Sequence, residues 1–293
     1  MAGTATLNAL RSTEATVGDY ISLLKPRVMS LVVFTGLIGL MIAPGQIHPI
    51  QAFTAILCLT LGAGAAGAFN MWYERDLDAL MNRTKGRVLP TGKIPPEEAL
   101  SFAIILSAFS ILIMGIGVNW VAACLLAFAN FFYSVIYTIW LKPNTSQNIV
   151  IGGASGAFPP MIGWAAVTGD ISLASISLFA IIFFWTPPHF WALALFANED
   201  YKRAKIPMLP LTHGDKATKL QMLIYTLVLL PVAISPYLLG FASMSYGVFA
   251  SILSLGFVFC ALRVLNDVTL KSAKQMFGYS VFYLFALFLA LLF

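Results

Sequence analysis

The stretch LCLTLGAGAAGAFNMWYERDLDALMNRTKGRVLP, residues 57–90, passes from an apolar run through an acidic turn into a basic one. Its first half completes an apolar window at 50–70, about the 20 residues a helix needs to cross a bilayer. Its second half carries Arg75, Arg83, Lys85 and Arg87, and cytoplasmic loops collect such side chains. The segment therefore predicts a membrane helix that ends at the cytoplasmic face. Working outward, further windows fall at 28–43, 98–117, 119–140, 147–167, 171–197, 219–239, 244–262 and 276–293, nine in all.

The test of this division is where the 17 Lys and Arg residues lie. Arg11, Lys25 and Arg27 precede the first span, Arg75, Arg83, Lys85, Arg87 and Lys93 follow the second, and Lys142 follows the fourth. Lys202, Arg203, Lys205, Lys216 and Lys219 follow the sixth, and Arg263, Lys271 and Lys274 the eighth. The remaining loops and the C-terminus hold none, so one face of the membrane takes every base. The expected fold is an all-α polytopic bundle of nine transmembrane helices, N-terminus cytoplasmic and C-terminus periplasmic. Residues 1–293 form one domain, with a polar tail at 1–19 and two long charged loops at about 71–97 and 198–218.

A composition of 59% hydrophobic and only 10% charged residues excludes soluble, disordered and nucleic-acid-binding classes, so no nucleic acid partner is expected. The tail resembles neither a signal peptide nor an Arg-rich transit peptide, which favours a bacterial inner membrane. Cys58, Cys124 and Cys260 lie singly in separate spans and read as small buried hydrophobes. The two long loops sit four spans apart, which suggests a parallel internal repeat.

Asn70, Glu74 and Asp78 stand at i, i+4 and i+8, within about 80° of arc and 12 Å of helix axis, while Asp76 points elsewhere. Grouped oxygen donors at the edge of a span suit a hard cation. Three bases close behind, Arg83, Lys85 and Arg87, suit phosphate oxygens. Together they point to a Mg²⁺–diphosphate; a solvated helix end is the alternative. In the sixth loop Glu199 and Asp200 precede Lys202, Arg203 and Lys205, a second cluster able to reach the same diphosphate. His213 and Asp215 read as ordinary loop residues, and His48 as solvent-facing.

These residues resemble the UbiA superfamily of intramembrane prenyltransferases, whose first motif is an Asn and acidic residues at four-residue spacing followed by a basic run, here NRTKGRVLP at 82–90. LKPRV at 24–28, YTIWLKPNTSQNIVIGGASGAFPPMIGWAAVTG at 137–169 and WTPPHFWALALFANEDYKRAKIPMLP at 185–210 are similar to the heme-modifying branch of that superfamily. Glu74 in place of the usual middle Asp, and a thinned second acidic motif, agree with that branch. Asp200 is the candidate for a second metal ligand.

The resemblance implies transfer of farnesyl from farnesyl diphosphate to a vinyl group of heme b, with water adding to the other vinyl carbon. Mg²⁺ is the implied cofactor and heme b a substrate. Asn70, Glu74 and Asp78 would hold the metal, with Lys85 among the catalytic residues. Arg83, Lys85, Arg87, Lys202, Arg203 and Lys205 would bind diphosphate. A heme A-making enzyme or terminal oxidase assembly would receive the product. An intramembrane His beside Pro187 and Pro188 makes His189 a candidate axial ligand or propionate donor, against a His satisfied by a carbonyl the prolines free. Tyr137 and Trp164 are candidates for shielding an allylic cation. Gly62, Gly64, Gly67, Gly152 and Gly156 read as close helix packing or as space for a macrocycle or prenyl tail. A quinone-precursor acceptor and a heme-binding transporter are the competing functions.

Overall fold

The computed structural model describes residues 15–293, so Arg11 and most of the polar tail lie outside it. The tail's last residues are helical. Thr16 and Asp19 cap each other reciprocally, with Asp19 accepting from the Thr16 backbone N–H at 3.0 Å, and helix α1 follows at Val17–Leu23. A bend of 59° at Lys25 leads into α2, Pro26–Ile42. Then come α3 (Pro49–Tyr73), α4 (Arg75–Leu80), α5 (Pro96–Gly117), α6 (Trp120–Phe131) and α7 (Asn148–Gly152). The second half holds α8 (Ala154–Thr168), α9 (Leu173–Phe196), α10 (Asn198–Arg203), α11 (Leu209–Leu238), α12 (Met244–Asn266) and α13 (Lys271–Ala290).

Among the described residues eight helices are long and apolar enough to span a bilayer, and nine if the bent pair α1–α2 counts as one span. Among the described residues there is no strand. Helices apolar all round need partners only on the side facing the protein, because lipid satisfies the rest. Accordingly Ile104, Ile105, Phe109, Leu112 and Ile116 of α5 lie exposed on its outer face. The enclosed elements are the α7–α8 span and α9, with 72% and 61% of their apolar windows buried. These two carry the Pro pairs 159–160 and 187–188, where neighbouring helices cover the backbone that the prolines disrupt.

Helix α8 packs on α2 and α9, α3 on α5, and α9 on α11 and α13, with α13 returning to α2. The pairs α3–α5 and α9–α11 flank the two long loops in the two halves of the chain. The α2–α8 crossing brings backbone against backbone. A Cβ on Gly39 would stand 2.2 Å from the carbonyl oxygen of Pro160, and one on Gly163 2.0 Å from that of Gly36, so backbones meet directly.

Three departures from the sequence reading have local causes. Ten residues, Phe132–Leu141, are π-helical, prolonging the fourth span to Asn144. Helix α11 begins ten residues before the expected 219, with Pro210 in its first turn and a break at Gly214 (φ 79°, ψ 167°). The expected loop 198–218 is therefore mostly α10 and the first turns of α11, and His213 and Asp215 are exposed helix residues. Cys58 is buried as expected, but Cys260 is only half-buried and Cys124 is exposed.

All the segments to which the basic residues were assigned, where described, meet at one end of the bundle. Lys25 reaches Asn70, Lys142 reaches Glu74, and the N–H groups of Asn82 and Arg83 donate to Asp200. Lys219 bonds the Asp267 carbonyl, and Lys274 lies 5.8 Å from the Phe196 ring centre.

Candidate active site

Beneath that charged end lies a cavity of about 370 Å³ running between the two halves of the bundle. Its mouth is polar, formed by Asn70, Glu74, Asp78, Lys25, Lys142, Arg83 and Arg87. Its depth is lined by Val32, Leu59, Ala66, Ile162 and Ile182.

The acidic ladder keeps its face although the helix breaks within it. Glu74 is the junction between α3 and α4 (φ −90°, ψ 8°), yet the Glu74 N–H donates to the Asn70 carbonyl at 3.0 Å and the Asp78 N–H to that of Glu74 at 2.7 Å. The four-residue rhythm survives the kink. Asn70, Glu74 and Asp78 are 3%, 3% and 0% exposed, which excludes a solvated helix end, while the Asp76 side chain is 89% exposed.

Each member of the ladder has a cation on it. Lys25 Nζ donates to Asn70 Oδ1 at 2.6 Å, from a backbone held in the left-handed region at φ 54° that turns its side chain inward. The Asn70 amide nitrogen donates to Thr138 at 3.0 Å. Lys142 Nζ meets both Glu74 oxygens at 2.5 and 2.6 Å, and Arg87 donates to Asp78 Oδ2 at 2.7 Å. Asp78 Oδ1 is buried with no hydrogen-bond partner. Lys142, which sequence placed only in the charge pattern, and Lys25, of the LKPRV stretch, are thus part of the mouth.

The other expected phosphate ligands divide. Arg83 and Arg87 line the cavity; Lys85 is exposed and does not. In α10 the residue turned inward is Tyr201, with Arg83 5.9 Å from its ring centre, while Lys202 and Arg203, and Lys205 just beyond the helix, are exposed and do not line the cavity. Asp200 does not line the cavity as a metal ligand would. It accepts from the backbone N–H groups of Asn82 and Arg83 at 3.3 and 3.4 Å and pairs with Arg203, clasping the two loops together. Burial raises its pKa, but these bonds outweigh burial and hold the carboxyl below its ordinary value.

The aromatic wall is partly as expected. Tyr137 lines the cavity, stacked on Tyr133 with ring centres 5.5 Å apart. Gly152 provides its seat, since a Cβ there would lie 2.2 Å from the Tyr137 ring. Trp164 instead packs edge-on against Phe241, away from the cavity, and Trp185 takes the lining position. Gly62 and Gly64 serve packing, against Ser110 and Leu24, and Gly67 is in ordinary contact with Lys25. Gly156 lines the cavity, and a Cβ there would meet nothing within 4 Å.

His189 lines the cavity as well. Its Nδ1 lies 2.6 Å from Ser280 Oγ, and not on a carbonyl freed by the prolines. His48 is exposed and caps α3, accepting from the Ile50 N–H at 3.3 Å.

Known proteins share both sequence and fold. The UbiA prenyltransferase family model matches residues 32–292. Protoheme IX farnesyltransferase of Sinorhizobium fredii is 58% identical over 286 residues, spanning 96% of this chain and 90% of that protein. The protein of the same name from Rhizobium meliloti is 57% identical over 97% of this chain and 91% of its own length. Among solved structures, a digeranylgeranylglyceryl phosphate synthase superposes with TM-score 0.79 at 17% identity, covering 94% of this chain and 96% of its own. A UbiA homolog from Archaeoglobus fulgidus bound to GPP and Mg²⁺ superposes with TM-score 0.68 at 16% identity, covering 93% and 99%. The chain belongs to the UbiA prenyltransferase family.

Proposed function

We propose that this protein transfers the farnesyl group of farnesyl diphosphate to a vinyl group of heme b, with addition of water, giving heme O and diphosphate. The observation that carries the reading is the near full-length identity of 54–58% to proteins named protoheme IX farnesyltransferase. A cavity with a cationic mouth and an apolar depth suits a diphosphate joined to an isoprenoid tail.

The residues present fit a divalent cation. Asn70, Glu74 and Asp78 bring oxygen donors to one wall, and the buried Oδ1 of Asp78 lacks a partner. When bound there, Mg²⁺ would neutralise charge on the departing diphosphate. Arg83, Arg87, Lys25 and Lys142 would receive the phosphate oxygens as the allylic C–O bond breaks. The faces of Tyr133, Tyr137 and Trp185 would stabilise the allylic cation until the vinyl carbon attacks it. The Asp200 clasp would keep the mouth closed to water, which otherwise yields farnesol. In this reading the mouth faces the cytoplasm of a bacterial inner membrane, and a heme A-making enzyme or terminal oxidase assembly receives the product.

The test is to incubate purified protein with heme b, farnesyl diphosphate and Mg²⁺, with and without chelator, and to analyse the extracted hemes by mass spectrometry. The expected result is a chelator-sensitive hydroxyethylfarnesyl adduct. Unmodified heme, with the donor consumed on a quinone precursor, would overturn the acceptor.

A further inference from the structure

His189 is held from four directions. Its ring stacks between Trp185 (centres 4.3 Å apart, planes 18° apart) and Phe277 (4.7 Å, 22°). Phe190 stands edge-on at 5.2 Å. Nδ1 meets Ser280 Oγ, and Ser280 is fully buried. The serine is fixed in turn, because its carbonyl accepts from Trp185 Nε1 at 2.8 Å. Helices α9 and α13 are thus locked around one imidazole.

The direction of the hydrogen bonds follows. Ser280 Oγ lies 2.6 Å from His189 Nδ1 and 2.6 Å from the Phe277 carbonyl oxygen; each contact needs a hydrogen between its atoms, the hydroxyl has one, and the carbonyl can only accept it. Toward His189 the serine must therefore accept, so Nδ1 carries the proton. Among the described residues the imidazole has no other polar partner and no carboxylate to balance a positive ring. Nε2 of the neutral ring is then an unprotonated lone pair on a side chain that lines the cavity. Such a nitrogen cannot donate to a propionate. It can bind iron.

We propose that Ser280 is a positioning residue that fixes the His189 tautomer, so that Nε2 coordinates the iron of the heme substrate and sets the plane of the macrocycle in the cavity. The proposal rests on heme being the acceptor. The stacking on Trp185 and Phe277 prevents ring rotation, so one iron–nitrogen bond sets the tilt of the macrocycle and leaves its rotation about that bond to the cavity walls. A hydrogen bond from Nδ1 also raises the basicity of Nε2, as it does in other histidine–metal sites.

The experiment adds one equivalent of heme b to the purified full chain, reduces it, and records the iron–histidine stretch by resonance Raman. The wild type should show that band. His189→Gly should lose it and regain it with added imidazole. Ser280→Ala should keep the band at lower frequency and bind heme on the order of tenfold more weakly, whereas Ser280→Thr should restore both. A band that persists unchanged in His189→Gly with heme bound, or an unshifted band in Ser280→Ala, overturns the proposal alone. Failure of the wild type to bind heme while consuming farnesyl diphosphate on another acceptor overturns the acceptor reading as well.

Discussion

Lys142 Nζ stands 2.5 and 2.6 Å from the two carboxylate oxygens of Glu74, joining the end of the π-helical segment to the break between α3 and α4. Glu74 is 4% and Lys142 17% exposed at the side chain. Removing one partner of such a pair leaves the other charged in a poorly solvated place, at a cost of about 3 kcal/mol. Lys142→Met should lower the thermal midpoint in detergent, and Glu74→Gln with Lys142→Met should recover part of the loss. A double variant no better than the single would show that the pair is uncoupled.

The ladder should be needed for transfer and not for heme. Asn70→Ala and Asp78→Asn should each reduce farnesyl transfer on the order of 100-fold or more, while optical titration with heme b stays unchanged. A parallel loss of heme affinity would mean that these residues hold the acceptor.

Asp200 couples the loops through its charge, which gives a pH dependence. Its pKa is lowered in the fold, so the clasp's contribution is present above the unfolded carboxylate value and lost as pH falls through the lowered folded one. At neutral pH Asp200→Ala should reproduce that loss. Farnesol should rise relative to farnesylated heme, and proteolysis within residues 81–95 should quicken. Unchanged partition of the product would remove the clasp from the sealing role.

Two glycines on α8 should respond in opposite ways to an added methyl group. At Gly163 it meets the backbone of Gly36, which cannot yield, so Gly163→Ala should cost about 3 kcal/mol or more and reduce the folded yield. At Gly156 it projects into open space, so Gly156→Ala should fold normally and weaken substrate binding. Size-exclusion profiles and substrate titrations distinguish the two.

What could be read from sequence was local or set by charge placement. The Asn70–Glu74–Asp78 face follows from helical periodicity, and the span count from hydrophobic length and the grouping of bases. His189 stood out because an imidazole inside a membrane span is unusual. The partners of these residues were not legible. Lys25 lies 45 residues from Asn70, Lys142 68 from Glu74 and Ser280 91 from His189, distances across which no periodicity operates. Each is an ordinary residue in its own segment. The facing of Lys202, Arg203 and Lys205 was not legible because charge type says nothing of direction: a step of one residue, about 100° around α10, goes from inward Tyr201 to outward Lys202. Trp164 and Trp185 are equally aromatic, and only the packing of α8 and α9 separates them.

The π-helical stretch Phe132–Leu141 makes Lys142 a matter of phase. Its wide turns accommodate more residues per revolution than the α-helix that precedes them, with the Thr138 hydroxyl reaching back five residues to the Tyr133 carbonyl. Removing one residue from this stretch would change both the number of residues and their winding, so everything beyond it would take a different angle about the helix axis. The chain length between Phe131 and Pro143 therefore acts as an angular setting: a shortened chain could remain inserted and helical while its lysine pointed away from Glu74.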